Sequence, residues 1–196
     1  SLGYCSCFKT FKKAYVQTLE GNPEIPTQVI REAYFICLTQ AAQTIDITTP
    51  YFVPDVDIIT AIKAAVARGV RVRLLVPHKM ECTTVIVGAA SRTYYGDLLE
   101  AGVNIYLYKK GILHAKLMVI DGEIAEVGTA NYDMRSFRLD YEVCEIFYST
   151  DVARELTEQF ERDLTNSVPL CIEDLRQRSR LRRILDQGAR LISPLL

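Results

Sequence analysis

Residues 114–137 read HAKLMVIDGEIAEVGTANYDMRSF, and the stretch folds on paper into one ribbon. Asp121-Gly122 is a two-residue turn signal, so Leu113–Ile120 and Glu123–Gly128 are predicted to be the strands of a hairpin. Side chains alternate faces along a strand. His114 and Lys116 are then neighbours on one face, about 7 Å apart along it. The turn returns a second polar pair, Thr129 and Asn131. Gly128 precedes it and lets backbone approach whatever lies between the pairs. An imidazole, an ammonium, a hydroxyl and a carboxamide converge on one small volume, a donor set that suits a phosphate-like anion. Asp121 falls on the opposite strand face and is expected to organise the turn and the backbone around it.

Outward from the hairpin, helical and strand patterns take turns. Ala14–Leu19, Thr44–Thr48, Val70–Val76 and Val103–Tyr108 read as strands, with Leu139–Tyr148 a long one after the ribbon. Thr27–Ala42 reads as a helix. A second helix is capped by Asp55 and ended by Gly69, and Thr83–Ala101 is closed by Gly102. Val152–Leu164 puts Val152, Leu156, Phe160 and Leu164 on one helical face, and Cys171–Leu185 is an Arg-rich helix. Helix–strand alternation in the first half favours parallel neighbours, and consecutive strands in the second favour antiparallel ones. The expected architecture is α/β, with a mixed central β-sheet flanked by helices in a single domain.

Composition agrees with a packed domain. The 196 residues are 49% hydrophobic and 24% charged, which excludes disorder as the main character. A formal net charge of −1 argues against a general polyanion binder. No apolar run approaches the roughly 20 residues needed to span a bilayer, and no signal peptide is visible. Cys5 and Cys7 form a lone Cys-x-Cys without the paired spacing of a zinc site, so no metal is expected. Cys37, Cys82, Cys144 and Cys171 fall in apolar segments and read as small, reduced core residues. The chain opens Ser-Leu without Met, and residues 1–13 are read as a tag remnant or a linker from an absent amino-terminal half.

The string His114, Lys116, Asp121, Gly128, Thr129 and Asn131 resembles the phospholipase D superfamily motif His-x-Lys-x4-Asp-x6-Gly-Ser/Thr-x-Asn. Every spacing is kept, and Thr129 stands where Ser is common. The likeness continues through IDITTPYFVPD, AAVARGVRVRLLVP, SRTYYGDLLEAGVNIYLYKKGILHAKLMVID, ANYDMRSFRLDYEV and RLISPLL, which are similar to the carboxy-terminal half of bacterial cardiolipin synthases. The resemblance implies a phospholipase D/nuclease-like sandwich over residues 14–196, with its motif at 114–131. It implies phosphatidyl transfer without a cofactor: two phosphatidylglycerols give cardiolipin and glycerol through a phosphohistidine.

On that resemblance His114 is the nucleophile, and Lys116, Thr129 and Asn131 bind the phosphoryl group. Family usage also counts Asp121 among the active-site residues. A nucleophilic His needs its other nitrogen held by an acceptor; Glu142 is the candidate and Asp140 the competitor. The mechanism asks for two histidines, and His78, in Pro77-His78-Lys79, has no motif around it and reads as a surface residue. The second motif is therefore expected from another half in cis or from a homodimer mate. The resemblance further implies a location at the cell membrane through segments absent here, with the catalytic domain peripheral or facing the cytoplasm.

Secondary features are read more plainly. Pro50-Tyr51-Phe52-Val53-Pro54 follows a strand end, where it either lines the site or packs in the core. Arg135 and Arg138 meet a lipid phosphate, meet the missing half, or are simply solvated. Tyr94 and Tyr95 are expected half-buried on a helix. Residues 171–196 carry six arginines against three acids, a net of +3; with Ile184, Leu185, Leu191 and Ile192 they either lie on an anionic membrane or dock as a terminal helix. Lys9, Lys12 and Lys13 sit near lipid if an amino-terminal part is membrane-bound. Two other functions compete with phosphatidyl transfer: a single-motif homodimeric phosphodiesterase or nuclease, and a catalytically inactive fragment. The near-neutral charge argues against nucleic acid as a partner.

Overall fold

The computed structural model describes residues 14–78, 85–177 and 186–189. The expectations for residues 1–13, for Lys79 and Cys82, and for most of the Arg-rich tail lie outside the described residues.

The chain runs β1 (Tyr15–Gly21), α1 (Val29–Gln40), β2 (Thr44–Thr48), β3 (Phe52–Val53), α2 (Val56–Ala67), β4 (Arg71–Pro77), α3 (Val85–Ala101) and β5 (Asn104–Tyr108). It continues with β6 (Leu117–Ile120), β7 (Ile124–Gly128), β8 (Tyr132–Asp133), α4 (Met134–Arg138), β9 (Glu142–Tyr148), α5 (Thr150–Leu164), β10 (Ser167–Pro169) and α6 (Ile172–Arg176). An eight-stranded sheet has the order β1-β9-β7-β6-β2-β4-β5-β10. Strands β2, β4 and β5 are parallel to one another. The remaining pairings in this sheet are antiparallel. The mixed sheet expected from the pattern is therefore present, parallel in its helix-connected half and antiparallel where strands follow one another.

Local chemistry accounts for the boundaries. The Asp55 carboxylate accepts from the N–H groups of Asp57 and Ile58 and starts α2. Asp121 and Gly122 both have positive φ, 54° and 66°, the backbone of a tight turn between two twisted strands. Helices α1, α2 and α3 bury Tyr34, Leu38, Ile58, Ile62 and Leu98 against one face of the sheet. The apolar stripe of α5 covers the other face, meeting Val119 and Ala125 through Val152 and Ala153, and Leu75 and Leu113 through Phe160. Each fully buried side chain of this size contributes about 2–3 kcal/mol. Arg73 fixes α5 as well: its guanidinium pairs with Asp46 at 2.6 and 2.7 Å and with Glu161 at 2.6 Å.

Several sequence expectations shift. The strand expected from Leu113 begins only at Leu117, so His114 and Lys116 lie in the approach to it, and alternation along a strand does not explain their proximity. The strand expected from Leu139 begins at Glu142, because the short helix α4 intervenes on an Asp133 cap. Tyr94 and Tyr95 are buried rather than half-buried. Cys37 and Cys144 pack inward, whereas Cys171 is exposed at the start of α6.

Candidate active site

The register gathers the motif residues other than Asp121 on one rim of the sheet. Thr48 at the end of β2 pairs with Leu117 at the start of β6, and Leu117 pairs with Val127 near the end of β7. The N–H of Gly128 donates to the Lys116 carbonyl at 3.2 Å, and that of Thr129 to the Val143 carbonyl at 2.9 Å. Backbone bonds thus hold the two polar pairs opposite each other. Gly128 is required at this point: a Cβ there would stand 2.4 Å from Cys144 Sγ and 2.7 Å from the Val143 carbonyl oxygen.

His114 is exposed on the rim, while Lys116 is only 9% exposed. The Lys116 Nζ lies 2.9 Å from Nδ1 and 3.3 Å from Nε2 of His114, and donates to the His114 carbonyl at 2.9 Å. An ammonium only donates, so the ring nitrogen facing it is an acceptor. Burial lowers the pKa of Lys116, against the carboxylates of Glu142 and Asp133, which favour its charged form. Tyr51 sets its ring edge-on to His114 at 6.4 Å between centroids. It arrives there because β3, which follows it, pairs in parallel with β8 just after the motif. Phe52 and Val53 of the same Pro-rich segment belong to the core.

The second pair is held differently. The Thr129 hydroxyl donates to Glu142 and accepts from the Val143 N–H at 3.0 Å. Glu142 therefore joins the cluster through Thr129, and no hydrogen bond links it to the ring of His114. Asp140 instead accepts from Arg135 at 3.2 Å. The Asn131 Nδ2 reaches Ser136 Oγ at 3.4 Å, and its buried Oδ1 has no hydrogen-bond partner among the described residues. Turning the amide over would let Oδ1 accept from the Ser136 hydroxyl and leave an N–H pair directed at the empty position. Ser136 also accepts from the Asn131 N–H at 3.1 Å and has its own N–H capped by Asp133 at 2.7 Å. Sequence reading passed over this support, although Asp133-x-x-Ser136 is a legible cap signal.

Asp121 stands at the far rim. Its carboxylate accepts from the N–H groups of Ala42, Gln43 and Thr44 at 2.7–2.8 Å, tying the α1–β2 connection to the hairpin turn. His78 is exposed at the end of β4. Arg138 is exposed at the end of α4. Among the described residues no three His, Cys, Asp or Glu side chains are grouped to hold a metal ion. No helix among them is long and apolar enough to cross a membrane.

A mixed sheet carrying His, Lys and Asn on one rim, reached through a Gly-Thr turn, defines a phospholipase D-like domain. The chain belongs to the family described as "Cardiolipin synthase, PLD-like domain", whose sequence profile matches residues 34–164. It is 46% identical over 181 residues to a cardiolipin synthase of Geobacillus sp. (strain WCH70), covering 92% of this chain and 36% of the relative. It is 44% identical to cardiolipin synthase 2 of Bacillus anthracis, covering 92% and 35%. The chain thus spans about a third of the length of these relatives. In fold it is similar to the phosphatidylserine synthase of Haemophilus influenzae Rd KW20, with a TM-score of 0.78 at 15% identity, over 93% of this chain and 48% of that one. It is also similar to Nuc, a phospholipase D family member from Salmonella typhimurium, with a TM-score of 0.68 at 18% identity, over 81% and 99%.

Proposed function

We propose that this chain is one catalytic half of a phosphatidyl transferase of phospholipid biosynthesis, which condenses two phosphatidylglycerols to cardiolipin and glycerol. The observation that carries the reading is the Lys116 ammonium against the His114 ring at 2.9 Å, on an exposed rim of a chain 46% identical to a cardiolipin synthase. A ring nitrogen of His114 attacks the phosphorus of one phosphatidylglycerol. The bond from phosphorus to the glycerol oxygen breaks, and the leaving oxygen takes a proton from a second imidazole. A hydroxyl of the second phosphatidylglycerol then gives its proton to that imidazole, attacks the phosphohistidine and frees His114.

The Lys116 ammonium offsets the charge on the phosphoryl oxygens and the Asn131 amide donates hydrogen bonds to them. A phosphoryl oxygen arriving beside Thr129 competes with Glu142 for the Thr129 proton. Once released, the Glu142 carboxylate is free to orient His114. The second imidazole belongs to another motif-bearing half, in cis or in a homodimer mate, and the lipid presents its headgroup from a membrane surface. The test pairs this chain with the amino-terminal portion of a longer form and follows phosphatidylglycerol. The expected result is cardiolipin plus glycerol and an acid-labile phosphoenzyme trapped on this chain. His114→Asn should remove both. Undiminished turnover by His114→Asn would end the proposal.

A further inference from the structure

Behind the rim lies an ionisable group that the proposed chemistry does not use. Glu126, on β7, is 1% exposed. Its Oε1 accepts from the Tyr34 hydroxyl at 2.9 Å, and its Oε2 has no hydrogen-bond partner among the described residues. The same Tyr34 oxygen lies 3.5 Å from the Ala130 carbonyl and 3.6 Å from Cys144 Sγ. Ala130 sits between Thr129 and Asn131. A phenol has a single proton to donate. While Glu126 is ionised that proton goes to the carboxylate, the closer and charged acceptor. Once Glu126 is protonated it can donate to the phenol oxygen, and the phenol proton is free for the Ala130 carbonyl.

We propose that Glu126 and Tyr34 are positioning residues: the proton on Glu126 decides whether the Tyr34 hydroxyl grips the Ala130 carbonyl, and so how firmly residues 129–131 are set for a phosphoryl group. The inference rests on reading 129–131 as the phosphoryl-binding segment. Burial pushes the Glu126 carboxyl up to about 7, against the opposing pull of the Cys144 thiol and the Tyr34 hydroxyl, which places the change near neutral pH. The titratable groups facing it are Tyr34 and Cys37 from α1, Tyr132 from β8 and Cys144 from β9. Burial pushes each of these four up, so Glu126 is the member of the cluster that ionises first. On β6 the residue opposite Glu126 is the uncharged Met118.

The test uses this chain, isotope-labelled, with inorganic phosphate as the probe. The Thr129, Ala130 and Asn131 amide signals should follow the Glu126 carboxyl signal through its titration, also in His114→Asn. In Tyr34→Phe the carboxyl should still titrate while the three amides no longer follow it. Glu126→Gln keeps a neutral donor towards Tyr34. It should bind phosphate as the unmodified chain does at pH 5.5 and about fivefold more tightly at pH 8.5, the size of one ordinary hydrogen bond. Amides that still follow the carboxyl in Tyr34→Phe would report a field effect through space and overturn the proposal. So would equal phosphate affinities at pH 8.5, a measurement that stands even if Tyr34→Phe fails to fold. A chain that shows this coupling but transfers no phosphatidyl group would count against the proposed function alone.

Discussion

Lys116 and Glu126 both keep a charge-bearing group out of water, and their surroundings treat it differently. Lys116 has acceptors on every side that matters: the His114 ring and carbonyl in contact, with Glu142 and Asp133 nearby. Around Glu126 only the neutral Tyr34 hydroxyl and Cys144 thiol oppose desolvation, and one carboxyl oxygen has no hydrogen-bond partner among the described residues, so burial favours its neutral form. Its folded pKa of about 7 lies above the ordinary 4.5, so the native state binds the extra proton between those values. Stability from this group is fully present below the unfolded value and is lost as pH rises through 4.5 towards 7. The loss amounts to about 3 kcal/mol. Glu126→Gln should therefore be near neutral at pH 4 and stabilising at pH 8, read from urea midpoints at the two pH values. Equal effects at both would show that folding leaves the pKa of this carboxyl where it is in the unfolded chain. The motif residues were legible from sequence because their spacing is fixed. Glu126 was not, because on the alternating strand IAEVG nothing distinguishes an inward glutamate from an outward one until the register is known.

At the scale of the element, the hairpin is held by a device at each rim. Asp121 is partly buried, which alone would raise its pKa, yet three backbone N–H donors outweigh this and hold it below the ordinary range. A lowered carboxyl contributes stability above its unfolded pKa and loses it as pH falls through the folded one, the opposite sense to Glu126. Asp121→Asn keeps the size and loses the charge, and should cost about 2 kcal/mol at pH 7 and little at pH 2, measured by thermal unfolding. At the other rim, Gly128→Ala drives a methyl into Cys144 Sγ and the Val143 carbonyl. The expected cost is about 1–3 kcal/mol with a drop in phosphate binding, since Thr129 and Asn131 follow directly. Adding Cys144→Ala should recover only part of it, because the carbonyl belongs to backbone and cannot step aside; full recovery would place the clash wholly on sulfur. The Asp-Gly turn and the long helices are readable because local chemistry sets them. The late starts of β6 and β9 are not: Leu113 continues the apolar pattern of a strand but packs under Phe160 of α5, and Leu139 continues one too, but the Asp133 cap first makes a helical turn.

For the molecule as a whole, large apolar side chains stay exposed on several elements, and some of them are close in sequence to the motif residues. Among these, Ile112, Leu139 and Tyr141 are 77%, 58% and 64% exposed. Exposed apolar groups flanking in sequence a motif with a single imidazole fit the proposal that a second motif-bearing half covers the His114 rim and brings the other proton-transfer group. The chain has two histidines, and the other, His78, stands exposed at the end of β4. A positioned acid or base contributes about 10²–10⁴-fold. This chain as a proven monomer should therefore turn phosphatidylglycerol over at least about 100-fold more slowly than when paired. His78→Ala should leave the paired rate unchanged. Tyr141→Glu, at a side chain whose hydroxyl bonds Glu24 rather than a motif residue, should weaken the pairing while a saturating excess of partner restores turnover. Sedimentation with a radiolabelled phosphatidylglycerol assay decides it: full turnover by the monomer, or loss of turnover in His78→Ala, would mean that the second imidazole is already in this chain.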